Sequence, residues 1–369
     1  MRGYDVVVLG GGPAGCATAL SLALRGIARI LVVEASRYEG IRIGETIPPD
    51  TRLVLEQLGV WDDFVNEPHE PCVGSCSSWG DDKLGYNDFL FNPFGNGWHL
   101  DRRRFDSFLA KKTEDCGAEV RTSTKFVSAE RIGAEGFRLR LAGDNGETQT
   151  ATARFVVDAT GMHSGFARQM GAKNLFLDRL ICVAAFFELA TSSSFSQLTM
   201  LEAVEYGWWY AAKLPNGRLT VALASDPELI SRAGLNQKDE WLDRLRETNH
   251  VSSEVANCLL IEDSLRVCTA PSLLLDRAVG NGWLAVGDAA STYDPISSQG
   301  IYKALSNGVS AAEVIAAFLA GDAERLSDYQ SSVANRFEDY LANRNFFYGL
   351  EQRWSASPFW SRRQQRTAL

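Results

Sequence analysis

Six residues near the start of the chain, Gly10-Gly11-Gly12-Pro13-Ala14-Gly15, have the spacing G-x-G-x-x-G. Such a loop acts through what it lacks. Without a Cβ, the first glycine permits a tight turn and the second lets the backbone approach a pyrophosphate. The third lets a helix pack closely on a strand. The phosphate charge then sits at a helix N-terminus, where unpaired N–H groups converge. Glu34 lies nineteen residues beyond Gly15, at the place where a carboxylate accepts hydrogen bonds from an adenosine ribose. This is dinucleotide chemistry, provided that a strand precedes the glycines and another ends at Glu34.

The pattern around these residues supplies the elements. Tyr4–Gly10 is apolar and β-branched and reads as a buried parallel strand. Pro13–Arg25 is a helix of small residues, and Ile30–Glu34 a second apolar strand, which completes a βαβ unit. A capped helix is expected near Pro49–Leu58, short strands over 70–100 and a helix over Arg102–Cys116. Alternating runs at 118–128, 136–142 and 149–157 follow, the last two joined by the hairpin turn Gly143-Asp144-Asn145-Gly146. Four more runs, at 181–189, 197–204, 207–213 and 218–224, predict a second, mostly antiparallel sheet. Beyond them come polar helices over 237–247 and 251–256, strands near 264–269 and Trp283–Val286, and long helices over 298–320 and 322–344. A short aromatic helix and a basic tail close the chain.

Composition bounds the function. The 369 residues carry a net charge of −9, which argues against a nucleic-acid partner, because phosphate binding needs a basic face. No run approaches the ~18–20 apolar residues of a membrane helix, and no secretory signal is visible. Seven scattered cysteines suit a reducing compartment, so a cytoplasmic protein is expected. The spacing of Cys72 and Cys76 and the four dispersed histidines argue against a metal site.

Two later segments bear on which dinucleotide is bound. Phe155-Val156-Val157-Asp158-Ala159-Thr160-Gly161 resembles the Ala-Thr-Gly motif of FAD enzymes. Trp283-Leu284-Ala285-Val286-Gly287-Asp288-Ala289-Ala290 resembles their Gly-Asp motif. With the first glycine loop, these motifs span about 290 residues, and the chain resembles a flavoprotein monooxygenase of the glutathione-reductase fold. The resemblance implies FAD as cofactor and an α/β fold. A Rossmann-type FAD-binding domain (1–75, 98–170 and 270–320) would carry a second, mostly antiparallel β-sheet substrate domain (76–97 and 171–269), with C-terminal helices over 321–369. It implies that Asp288 holds the ribityl chain, although Asp is also a favoured helix N-cap. Leu100-Asp101-Arg102-Arg103-Arg104-Phe105-Asp106 resembles the family's Asp-Arg-x-x-Phe-Asp helix start, whose arginine contacts FAD; a solvated basic turn is the other reading of Arg102. Val127 is expected to touch adenine through its backbone. The cofactor-binding set is therefore Gly10, Gly12, Pro13, Ala14, Gly15, Glu34, Ala35, Arg42, Glu45, Arg102, Val127, Gly161, Gly287, Asp288, Pro295, Gly300 and Ile301, with no metal.

Gly44-Glu45-Thr46-Ile47-Pro48-Pro49 is similar to a segment of flavin-dependent halogenases and their monooxygenase relatives, and Asp294–Gly300 to their loop over the isoalloxazine. Gly207-Trp208-Trp209-Tyr210 resembles a halogenase signature, with two residues inserted before Leu214-Pro215; an inter-sheet core explains the same aromatic run. The C-terminal stretch Tyr340–Trp360 resembles halogenase-like oxidoreductases that include flavoproteins maturing tryptophylquinone cofactors by hydroxylating a peptidyl tryptophan. Halogenases need a lysine roughly thirty residues beyond the Gly-Glu element, and segment 61–82 has none; Lys83 is the first lysine of the chain. The expected reaction is hydroxylation of an aromatic, tryptophan-like group, free or peptidyl, through a flavin-bound peroxide. Trp79, Trp98, Trp208, Trp209 and Tyr210 would form its dry pocket. Glu45, Trp208, Trp209, Tyr210 and Tyr293 are the catalytic candidates. No second G-x-G-x-x-G follows a strand, so electrons would come from docked NAD(P)H or a separate flavin reductase. A reductase of isoprenoid double bonds, a halogenase and a non-catalytic FAD-bound maturation factor are the alternatives.

Overall fold

A computed structural model describes residues 2–133, 136–190 and 196–364. The chain opens with strand β1 (Arg2–Leu9), helix α1 (Pro13–Leu24) and strand β2 (Ile30–Val33). Strands β3 (Gly74–Ser78) and β4 (Leu84–Asp88), helix α2 (Arg102–Asp115) and strand β5 (Glu119–Arg121) follow. A meander of β6 (Thr124–Ile132), β7 (Gly136–Gly143) and β8 (Thr148–Asp158) leads to β9 (Ile181–Leu189), β10 (Leu198–Val204), β11 (Gly207–Leu214) and β12 (Arg218–Ser225). Strand β13 (Trp283–Ala285) precedes helices α3 (Gly300–Leu319), α4 (Arg325–Leu350) and α5 (Pro358–Gln364).

The first sheet has the parallel order β13-β8-β1-β2-β5. Val6, Val7 and Val8 are wholly buried, as expected for a central parallel strand covered on both faces. Helix α1 packs on α3 through small residues. A Cβ on Gly308 would meet the Ala14 carbonyl oxygen at 2.7 Å and Ala17 Cβ at 2.8 Å, so this crossing requires glycine. Strand β8 is long enough to pair in parallel with β1 and also to form the antiparallel hairpin with β7.

The second sheet has the order β9-β12-β11-β10-β3-β4 and is antiparallel except between β3 and β10. Its far face packs on Trp241, Leu245 and Ile230, a core separate from that of the first sheet.

Several expectations need correction. The division expected between 75 and 76 falls inside β3, all five residues of which pair in the second sheet. The helix expected near Pro49–Leu58 covers Thr51–Gln57, and Asp50 makes no capping hydrogen bond from its side chain. Helix α4 continues past 344 to Leu350, because Arg344 and Tyr348 are both held in the interior. The basic tail beyond 364 lies outside the described residues.

Candidate functional site

The glycine loop stands where β1 ends and α1 begins. Gly10 has φ +114°, and a Cβ there would lie 2.1 Å from the Ala159 carbonyl oxygen. A Cβ on Gly15 would lie 1.9 Å from the Gly10 oxygen, which fixes how closely α1 approaches its own strand. Gly12 differs: a Cβ there would meet no atom within 4 Å. It faces a groove of about 540 Å³ lined by Gly10, Pro13, Ala14, Glu34, Ala35, Arg42 and Gly161. Glu34 accepts hydrogen bonds from the Gly11 N–H at 2.8 Å and from Ser36, and Arg42 bridges it to buried Asp106. The groove thus runs from the Glu34 carboxylate at one end to open backbone at Gly12.

The groove joins a second space, of about 300 Å³, at Pro13, Asp288 and Ala304, which line both. Asp288 does not cap a helix. It sits inside the 3₁₀ turn Gly287–Ala289, and its carboxylate accepts from Lys303 at 2.8 Å. Arg102 grips Asp106 with two nitrogens at 3.2 Å and donates to the carbonyls of Ile43 and Gly44 at 3.1 and 2.9 Å. It is therefore not a solvated turn residue, because it fixes the Gly44–Glu45 segment against the cavity.

Glu45 is almost wholly buried and lines that cavity. Its Oε2 accepts from the Gly44 N–H at 3.1 Å, while no hydrogen-bond partner among the described residues reaches Oε1. Burial pushes the carboxyl up to about 7, against the smaller opposing pull of Arg102. The cavity thus has a carboxylic acid with an unsatisfied oxygen, able to hold or release a proton near neutrality. Tyr210 lies nearby with its hydroxyl 2.7 Å from Thr46 Oγ1, and burial raises its pKa so that it stays protonated. Trp208, Tyr293, Pro295, Gly300 and Ile301 also line the cavity.

Strand alternation separates the aromatic candidates. Trp208 and Tyr210 face the cavity, but Trp209 projects through the other side of β11 against Trp241, with ring centroids 5.1 Å apart. Trp209 is thus a core residue. Trp98 packs edge-on against Phe64, and Trp79 bonds the Phe347 carbonyl and packs on Trp360, so neither lines the cavity. Val127 is also displaced. The Thr124 N–H donates to the Glu34 carbonyl, so the N-terminal end of β6 abuts the groove, and Thr124, Lys125 and Phe126 line it instead. Gly15 and Gly287 lie behind the groove, where a Cβ on Gly287 would strike Ala14 Cβ at 2.6 Å.

Some site residues escaped the sequence reading. Lys303 is buried, bonds Asp288 and the Ser291 carbonyl, and holds its ammonium 4.5 Å from the Tyr293 ring centroid. Only its position one turn into α3, beyond the Asp294–Gly300 loop, could have suggested it. A further cavity of about 250 Å³ shares Glu45 and Arg102 with the main one and has Arg42, Arg103 and Arg218 on its walls. Lys83 is exposed in the turn between β3 and β4. Among the described residues, no group of His, Cys, Asp and Glu could hold a metal, and no helix is long and apolar enough to cross a membrane.

A parallel sheet with a pyrophosphate-shaped glycine loop, opening into a cavity roofed by an antiparallel sheet, defines a flavoprotein oxidoreductase. The FAD binding domain family matches residues 3–343, and the chain belongs to that family. Its cofactor is FAD. The chain is 30% identical over 373 residues to LodB of Marinomonas mediterranea, covering 100% of this chain and 99% of LodB. The fold is shared with the myxobacterial chondrochloren halogenase CndH, with a TM-score of 0.90, 23% identity and coverage of 98% and 86% of the two chains. It is also similar to QhpG, a peptidyl tryptophan dihydroxylase essential for tryptophylquinone cofactor biogenesis, with a TM-score of 0.79, 25% identity and coverage of 98% and 79%.

Proposed function

We propose that the protein is an FAD-dependent monooxygenase that hydroxylates an aromatic, tryptophan-like group, free or carried on a peptide. The observation that carries this reading is the junction at Asp288, where the dinucleotide groove opens into a cavity walled by Trp208, Tyr210 and Tyr293. When bound, FAD supplies the activation of oxygen. The protein's part is placement, exclusion of water and proton management. The Gly12 face and the N-terminus of α1 receive the pyrophosphate, and Asp288 receives the ribityl chain. Pro295 and the backbone at the start of α3 face the ring system. The aromatic walls stack a flat substrate and keep water out. Glu45 Oε1 holds or takes the proton that oxygenation of an aromatic carbon must move.

The similarity to QhpG supports an aromatic substrate presented by a peptide. Halogenation is disfavoured because no lysine among the described residues lines the cavity. Lys303 bonds Asp288 of the cavity lining, yet its ammonium is engaged by Asp288, Ser291 and the Tyr293 face. Electrons come from NAD(P)H or a separate flavin reductase, and the cytoplasm would keep the seven free thiols reduced. The test is mass spectrometry of turnover mixtures with a tryptophan-containing peptide, reduced flavin, labelled dioxygen and bromide. Gain of one labelled oxygen is expected. A bromine isotope doublet, or turnover without oxygen, would replace this reading by halogenation or by double-bond reduction.

A further inference from the structure

Tyr340, Arg344 and Tyr348 stand four residues apart on α4, so they share one helix face. All three are buried and converge on Asp294, at the head of the loop beside the cavity. Tyr340 Oη accepts from the Asp294 N–H at 2.7 Å, and Arg344 Nε lies 3.5 Å from Asp294 Oδ2 while its Nη2 donates to Asp178 at 2.6 Å. Tyr348 makes the longest connection. Its hydroxyl accepts from Trp208 Nε1–H at 3.0 Å and donates to Asp294 Oδ2 at 2.8 Å. Asp294 Oδ1 accepts from the Ile296 N–H at 3.0 Å, which shapes the turn Pro295–Ser297.

Trp208 and Asp294 belong to different walls of the cavity, one on the second sheet and one on the loop beside Asp288. One phenolic oxygen on the C-terminal helix joins them. The charged groups facing Asp294 are Arg344 on α4, Arg363 on α5 and Asp178 ahead of β9. A buried carboxylate of this kind is costly unless each oxygen is matched, and here the matching groups come chiefly from one helix.

We propose that Tyr348 is a positioning residue: it ties the Trp208 wall to the Asp294 loop and thereby sets where Pro295–Ser298 stand against the flavin. The sequence signature is the i, i+4, i+8 triplet Tyr340, Arg344 and Tyr348. The proposal rests on FAD binding alone and stands or falls separately from the monooxygenase reading.

Tyr348→Phe deletes the hydroxyl at nearly constant volume. A matched control is Trp241→Phe, whose indole N–H donates to the Val183 carbonyl on the far face of the same sheet. Both FAD-loaded proteins are compared with the parent by thermal unfolding, visible flavin spectrum and rate of FAD release. Both variants should lower Tm. Only Tyr348→Phe should move the flavin bands and speed FAD release, by about five- to tenfold, the worth of one of the two hydrogen bonds its hydroxyl makes. If Tyr348→Phe lowers Tm while leaving the spectrum and release rate at the parent values, its role is packing alone and the proposal fails. Should that variant not fold, Trp208→Phe decides. This companion variant removes the indole N–H from which the Tyr348 hydroxyl accepts, and an FAD-release rate left at the parent value there overturns the proposal equally.

Discussion

The groove at the glycine loop and the aromatic cavity meet at Asp288, yet they are built in different ways. The groove is centred on backbone, with Gly10, Gly12 and the N-terminus of α1 facing Glu34 just past β2, and residues 124–126, 159–165 and 286–288 completing its walls. The cavity is made from side chains brought together from at least five separate stretches, around 45, 102, 208, 293 and 301. A backbone site depends on which residues lack a side chain. A side-chain site depends on which face of a strand each residue occupies and on what holds the loops. Damage to the groove should therefore abolish cofactor binding with the fold intact. Damage at the cavity should divide sharply between neighbours that face it and neighbours that do not.

The largest effect is expected at Gly12. Its Cβ position is open, so Gly12→Val should fold, while its branched side chain occupies the space where the backbone approaches a pyrophosphate. FAD content should fall from one per chain to none on purification, with unchanged far-ultraviolet circular dichroism. Yellow protein at full stoichiometry would break the contrast at its root, because the groove would not be the dinucleotide site.

The next effect tests alternation on β11. Trp209→Ala removes a fully buried indole from the core against Trp241 and should cost about 3–5 kcal/mol in urea unfolding. In the fraction that remains folded, the bound flavin should keep its spectrum, since Trp209 faces away from the cavity. A spectral change as large as that from substituting Trp208 would mean that the two faces of β11 are not insulated from each other.

The same contrast explains what was legible in the sequence. The glycine turn between β1 and α1, and the places of Glu34 and Gly287-Asp288 just past their strands, were readable because such connections need fixed local spacing. The second sheet was readable from its alternating runs. The inward or outward sense of that alternation was not. Trp208, Trp209 and Tyr210 form one aromatic run, and only the packing of Trp241 from a later helix shows which ring is core. Trp98 and Trp79 misled for the same reason, since they fill spaces created by Phe64 and by α5. Lys303 and the Tyr340–Arg344–Tyr348 face were hidden because their partners, Asp288, Asp294 and Trp208, lie on distant elements.

The smallest expected effect, and the one that probes the junction itself, comes from Glu45. Burial raises this carboxyl from 4.5 to about 7, so the folded state prefers the protonated form. The sign follows from linkage. The contribution to stability is fully present below about pH 4.5, where both states are protonated, and it is lost as pH rises through about 7, where the buried carboxylate must carry charge. A shift of this size corresponds to an order of 3 kcal/mol at most. Two buried imidazoles act in the opposite sense: His69 and His99 are held down to about 4 by burial, so their contribution is lost as pH falls below 6.5. Both are present in parent and variant, so a difference curve isolates Glu45. Glu45→Gln keeps the shape without the ionisation. Urea midpoints measured on flavin-free protein from pH 4.5 to 8 should show the variant gaining on the parent as pH rises, with the gain levelling off above about 7. A pH-independent difference would mean that Glu45 does not titrate in this range, and the acid–base role assigned to it in the cavity would go with it.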